Sequence, residues 1–273
     1  MKCKKTAPIG VFDSGVGGLT VAREIMRQLP HENFVYFGDT ARVPYGNKSK
    51  NTIIRFSEQI IRFLQSKEVK AIVIACNTAC SLALQRVQEE FDIPIIGVVI
   101  PGAREAVETT KAGKIGVIGT DATVRSGVYT KIVNIINPKI QVIEKACPLF
   151  VPLVEEGFKD HAITQEAIAY YLAAMKETEI DAMVLGCTHY PLLRSRIREY
   201  LGDEIQIVNP AYETAMDLKR LLERDEMEND TNSPEDSKYA FYVSDNAEKF
   251  QLFANSVMPF QVPITNVVNI EEY

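Results

Sequence analysis

Two octapeptides of this chain nearly copy one another. Ala71-Ile72-Val73-Ile74-Ala75-Cys76-Asn77-Thr78 and Ala182-Met183-Val184-Leu185-Gly186-Cys187-Thr188-His189 each run an apolar β-type stretch into a small residue, a cysteine, and then hydroxyl or amide residues. The likeness extends upstream. Ile9-Gly10-Val11-Phe12 is echoed by Ile115-Gly116-Val117-Ile118, at an offset of 106 residues against 111 for the cysteines. Self-similarity over a long period constrains architecture before any local signal does. Two copies are too few for a solenoid, so the pattern predicts two related, pseudo-symmetric halves.

Short β-branched runs alternate with helical patterns along most of the chain. Strands are expected at 8–12, 33–38, 70–75, 94–98, 114–119, 140–145, 181–186 and 205–208. Ile53, Phe56, Ile60, Phe63 and Leu64 recur between them at helical spacing. Such alternation predicts an α/β fold of mainly parallel sheets covered on both faces. A further strand, helix and strand are expected at 239–244, 247–257 and 265–269. The segment Arg224–Lys238, acidic and rich in Asn, Ser and Pro, reads as a mobile surface loop. Pro and Gly interrupt the pattern near 98–101 and 209–210. The expected domains are therefore 1–98 plus 210–273, carrying Cys76, and 99–209, carrying Cys187. A single sheet with one continuous core is the alternative.

Composition narrows the function classes. A net charge of −6 argues against a nucleic-acid surface. No run approaches the roughly 18 apolar residues that a membrane helix needs. Met1-Lys2-Cys3-Lys4-Lys5 lacks the apolar stretch of a secretory signal. Five cysteines without dense spacing point to a reducing compartment, so a cytoplasmic enzyme is expected.

Ligands of open parallel sheets bind beyond the carboxyl ends of the strands. Both repeated cysteines fall at such ends, before an expected helix whose positive terminus favours thiolate. An ordinary thiol titrates near 8.5, so a modest downward shift would populate a base at neutral pH. Two matched thiols facing one ligand suit removal of a proton from one face of a carbon and its return to the other. Cys3, Cys80 and Cys147 lack that context, and Cys80 reads as packing. Zinc would need closer ligands than two distant cysteines and His31, His161 and His189 supply. A redox pair of Cys76 and Cys187 stays open, although no C-x-x-C is present.

Asp13-Ser14-Gly15-Val16-Gly17-Gly18 follows the first strand as a glycine loop able to approach an anion. With Asp39 ending the second strand, it invites a dinucleotide reading. Thr20 at the third glycine position and the carboxylate of Asp13 count against it. A small ligand bearing an ammonium and a carboxylate fits better, with Asp13 on the cation and Ser14 on the anion. Pro44-Tyr45-Gly46 would hold a tyrosine against the ligand or simply turn the chain. Asn77, Thr78, Thr188 and His189 are placed to donate to a carboxylate, and His189 to assist Cys187 with protons. Glu155, in Pro152-Leu153-Val154-Glu155-Glu156-Gly157, is a further candidate. The residues alone thus reach a two-thiol α/β enzyme.

Taken together, Phe12–Gly18, Gly38-Asp39-Thr40, Pro44-Tyr45-Gly46, Ala75–Thr78, Glu155-Glu156-Gly157 and Gly186–His189 resemble the glutamate racemases of the cofactor-independent aspartate/glutamate racemase superfamily. The resemblance implies two α/β domains facing a central cleft, with glutamate as the small-molecule substrate between them. It implies that Cys76 and Cys187 are the acid/base thiols and that Asp13, Asp39, Glu155 and His189 support them. It further implies that Asp13, Ser14, Tyr45, Gly46, Asn77, Thr78, Thr188 and His189 contact substrate. No cofactor or metal is expected, and D-glutamate would feed peptidoglycan synthesis. A homodimer is expected on the general ground that an isologous pair is the simplest closed assembly.

Overall fold

The chain folds as two parallel sheets with one shared wiring pattern. The fold was obtained as a computed structural model, which describes residues 5–231, 238–263 and 265–273. Cys3 and positions 232–237 of the acidic segment lie outside the described residues. The first sheet contains β1 (Ile9–Asp13), β2 (Phe34–Gly38), β3 (Ala71–Ile74), β4 (Ile95–Gly97), β9 (Tyr239–Val243) and β10 (Asn266–Val267). Its order is β10-β9-β2-β1-β3-β4. The second contains β5 (Lys114–Gly119), β6 (Gln141–Ala146), β7 (Ala182–Gly186) and β8 (Gln206–Val208), ordered β6-β5-β7-β8. Every strand pair in both sheets is parallel.

The repeat seen in the sequence is a repeat in space. β2-β1-β3-β4 and β6-β5-β7-β8 follow one order. Their central pairs also share a register, Ile9 opposite Ala71 in one and Ile115 opposite Ala182 in the other. In each sheet the chain lays its second strand on one side of the first and its third on the other. That reversal opens a crevice at the carboxyl ends of β1 and β3, and of β5 and β7.

Helices α1 (Leu19–Gln28), α2 (Lys50–Ser66), α3 (Asn77–Glu90), α4 (Val99–Thr109), α5 (Asp121–Ser126), α6 (Val128–Ile136), α7 (Phe150–Glu155), α8 (Ala162–Lys176), α9 (Arg194–Leu201), α10 (Pro210–Arg224) and α11 (Ala247–Val257) link and cover the strands. In α2 the expected stripe of Ile53, Phe56, Ile60, Phe63 and Leu64 is buried, and Ser49 caps its first turn. Strands β1, β2, β3 and β7 are buried at every position, as β-branched runs between two helical layers must be.

Two sheets rule out the single-sheet alternative, yet the cores are not cleanly divided. Ile115, Val117, Ala182 and Val184 of the second sheet join the first sheet's core, along with Tyr129 and Val133 of α6 and Leu218 of α10. Ile118, Met183 and Leu185, whose side chains alternate to the other face, build a separate core with α8 and α9.

The acidic segment after α10 departs from the expected loose loop where it is described. Lys70, fully buried, pairs with Glu32 at 2.5 Å and donates to the carbonyls of Lys5 and Met227. The Asn229 N–H donates to Glu32, and its side-chain amide donates to the His31 carbonyl. A buried charge needs such partners, so the composition of a loop here conceals an anchored stretch.

Candidate active site

The loops after β1, β2, β3, β5, β6 and β7 surround one cavity of about 470 Å3 between the two sheets, within the range of small-ligand sites. Cys76 and Cys187 both line it. Ser14, Tyr45, Gly46, Asn77, Thr78, Thr188, His189 and Glu155 line it with them. Among the lining residues there is no lysine or arginine.

Cys76 stands at the end of β3 and caps α3, its Sγ 3.5 Å from the Ala79 N–H and from Ser14 Oγ. The helix terminus does not lower this thiol as the sequence predicts. Burial pushes Cys76 up to about 12, the Asp13 carboxylate adds to the rise, and the Ala79 N–H and Ser14 hydroxyl only partly oppose it. Water is lost faster than the dipole compensates.

Cys187 has a different setting. The residues after it form a single 3-10 turn, Tyr190–Leu193, before α9 begins at Arg194. The expected α-helix directly behind this cysteine is therefore absent, because Pro191 enters where a helix would propagate. An imidazole takes its place. His189 Nδ1 lies 3.9 Å from Cys187 Sγ, and Nε2 lies 2.8 Å from Glu155 Oε1 at the end of α7. Burial pulls the ring down, but its hydrogen bonds to Cys187 and Glu155 outweigh burial and raise it to about 10. Burial likewise raises Glu155, and His189 more than reverses this, holding the carboxyl below its ordinary value. The pair is thus imidazolium and carboxylate at neutral pH.

Two predicted site residues do not line the cavity. Asp13 is 0 % exposed; its oxygens accept from the Gly15 N–H at 3.0 Å and the Thr188 hydroxyl at 3.3 Å. Burial raises its carboxyl above the usual value, against the opposing pull of His189. Its carboxyl group acts electrostatically on Cys76, and its side chain is outside the cavity lining. Asp39 is also 0 % exposed. It accepts from Arg42 Nε at 2.7 Å, from Ser244 Oγ at 2.8 Å and from the Tyr45 hydroxyl. The Tyr45 hydroxyl therefore points into the protein, and Asp39 holds the Val43–Asn47 wall in place. Arg42, 3.9 Å above the Phe56 ring, also reaches Gln59 and Glu271, tying that wall to the end of the chain.

The two sheets meet at short polar contacts that include residues of the cavity lining. Thr20 donates to the Thr188 carbonyl at 3.0 Å, and the Thr78 and Thr120 hydroxyls lie 2.9 Å apart. Gly17 makes the approach possible. A β-carbon there would sit 2.4 Å from Thr188 Oγ1 and 2.5 Å from His189 Nδ1. Sequence reasoning missed Thr120, Asp121, Pro148, Val151 and Pro152, which line the cavity from the second sheet's side beside Glu155, Cys187, Thr188 and His189. For Thr120 a signal existed, since the 106-residue offset that maps Ile9 to Ile115 also maps Ser14 to Thr120. All four described cysteines are free thiols, and among the described residues no helix is long and apolar enough to cross a membrane.

Known proteins share this fold. A family model described as Asp/Glu/Hydantoin racemase matches residues 9–217. A glutamate racemase of Geobacter metallireducens is 48% identical over 237 residues, covering 87% of each chain. A crystal structure of a glutamate racemase isoform from Bacillus anthracis superposes with a TM-score of 0.93 at 40% identity, covering 97% of this chain and 98% of the other. The glutamate racemase of Francisella tularensis, solved in complex with D-glutamate, gives 0.92 at 37% identity, covering 98% and 100%. The chain belongs to the Asp/Glu/Hydantoin racemase family and, within it, to the glutamate racemases, which are isomerases.

Proposed function

We propose that this chain interconverts L- and D-glutamate by two-base proton transfer between Cys76 and Cys187. The observation that carries the reading is that the two thiols line one cavity from matched positions in two matched sheets. In one direction a thiolate on one side takes the α-proton, forming its S–H bond as the C–H bond breaks. The opposite thiol then gives its proton to the other face of the carbon and becomes the thiolate. The reverse direction exchanges the roles, so no net proton or electron is gained.

A carbanion beside a carboxylate is a poor intermediate without help. The N-terminus of α3, with Asn77 and Thr78, supplies donors that strengthen as charge moves onto the substrate carboxylate. His189 gives a counter-charge to a sulfur anion formed on Cys187, and Glu155 holds the ring in place. On the other side, Asp13 and the burial around Cys76 hold that sulfur as a proton donor until substrate arrives. We further assign 1–98 plus 210–273 and 99–209 as the two domains, a homodimer as the assembly, and the cytoplasm as the setting. There D-glutamate would supply peptidoglycan synthesis.

The test is incubation of L-glutamate in deuterium oxide with no added cofactor, followed by NMR and chiral chromatography. D-glutamate deuterated at the α-carbon is the expected product. An unchanged optical rotation with tight glutamate binding would overturn the reading in favour of a binding protein.

A further inference from the structure

Asn77 follows Cys76 directly and lines the cavity, yet a carboxamide has two unlike ends. Its NH2 group suits a ligand carboxylate and its carbonyl oxygen repels one. Which end faces the cavity is settled by a residue of the other sheet's layer. The Tyr129 hydroxyl on α6 donates to Asn77 Oδ1 at 2.7 Å, and both side chains are buried. This is the one hydrogen bond of that hydroxyl among the described residues. A buried hydroxyl must place its proton on an acceptor, so the phenol claims the carbonyl end and leaves the NH2 end to the cavity.

Tyr129 also touches both cysteine loops. A β-carbon on Gly186, the residue before Cys187, would lie 3.2 Å from Tyr129 Cε2, while Asn77 is the residue after Cys76. One on Gly102, in α4, would lie 3.6 Å from the Tyr129 hydroxyl. Burial holds the phenol well above its ordinary value, so it stays a neutral donor across the working range of pH.

We propose that Tyr129 is a positioning residue that locks the Asn77 carboxamide with its NH2 toward the cavity, turning an ambidextrous side chain into a fixed carboxylate donor. What the amide binds rests on the racemase reading; the locking does not.

The experiment compares wild type with Tyr129→Phe, which keeps the ring, and with Asn77→Ala. The side-chain amide signals of Asn77, assigned by their loss in Asn77→Ala, should shift or broaden in Tyr129→Phe without any substrate present. kcat/KM for both glutamate enantiomers should fall about tenfold, through a higher KM and a lower kcat together, the size expected for one buried hydrogen bond to a group that donates more strongly as charge moves onto the carboxylate. Tyr129→Phe added to Asn77→Ala should change kcat/KM no further. A merely structural tyrosine would lower the melting temperature and leave both kcat/KM and the amide signals unmoved, which would overturn the proposal. So would effects of the two substitutions that multiply. A wild type without racemase activity would sink the function proposed above, while the amide signals would still decide the role of Tyr129.

Discussion

Cys76 caps a helix of 14 residues and feels the charge of a buried carboxyl group, whereas Cys187 precedes a 3-10 turn and faces an imidazolium held by Glu155. The strands beneath them are in one register. The matched register thus keeps the position of each sulfur while the surroundings of the two thiols differ. One half raises its thiol by dehydration and a neighbouring charge. The other sets an imidazolium beside its thiol. Mirror-image substrates call for two sulfurs in opposed places; they do not call for equal surroundings.

The most severe way to break this comparison is to delete a sulfur. Cys76→Ala and Cys187→Ala are each expected to lower kcat/KM by at least about 10³-fold, within the span of general acid–base contributions. Near-normal turnover in either variant would show that one half works alone.

His189→Asn removes the helper from one side only, with an expected loss of about 10²-fold. The equilibrium between enantiomers is even, so kcat/KM must fall equally in both directions. The imbalance should emerge instead in unequal primary isotope effects for α-deuterated L- and D-glutamate. Equal effects would mean that His189 serves both sulfurs alike.

Gly17→Ala tests how closely the halves must meet. A methyl group at that place collides with Thr188 and His189, and overpacking of this kind costs about 1–3 kcal/mol. Urea unfolding should shift to lower midpoint. An unchanged midpoint would indicate that the two loops part without penalty.

The His189 charge should be visible in stability. Its folded value of about 10 stands above the ordinary 6.5. The stabilisation it carries is complete below about 6.5 and fades as pH climbs toward about 10. Melting curves of wild type and His189→Asn should converge across that window. In NMR titrations, Glu155→Gln should move the imidazole back toward its ordinary value, and a ring titrating near 6.5 in the wild type would refute the assignment.

The smallest effect is expected at Asp39→Asn, which keeps the shape but weakens the grip on Tyr45 and Arg42. A rise in KM of about threefold, comparable to half a charged hydrogen bond, is expected by steady-state kinetics. A large fall in kcat would instead put Asp39 among the reacting groups.

Much of this was legible before any coordinates. Strand positions agree within three residues because Ile and Val runs such as Ile72–Ile74 have one good home, between two helical layers. The repeat disclosed the doubled topology. What stayed hidden depends on neighbours distant in sequence. Nothing near Asp13 announces that Thr188 will close over it, and Asp39 looks like a ligand contact until Arg42, Tyr45 and Ser244 converge on it. The thiol of Cys76 departs from what its helix position predicts for a like reason. A helix dipole can be read from spacing, while the depth of burial that defeats it cannot.

The lining of the cavity carries no lysine or arginine, and this has a consequence for how the proposed substrate is gripped. Its carboxylates would be held by amides, hydroxyls and one imidazolium, contacts that act over a bond length and that dissolved ions barely weaken. Affinity should stay nearly flat as sodium chloride is added, and either product can depart without breaking an ion pair to a lysine or arginine. A steep climb of KM with ionic strength would reveal a distant basic side chain swinging in to take hold.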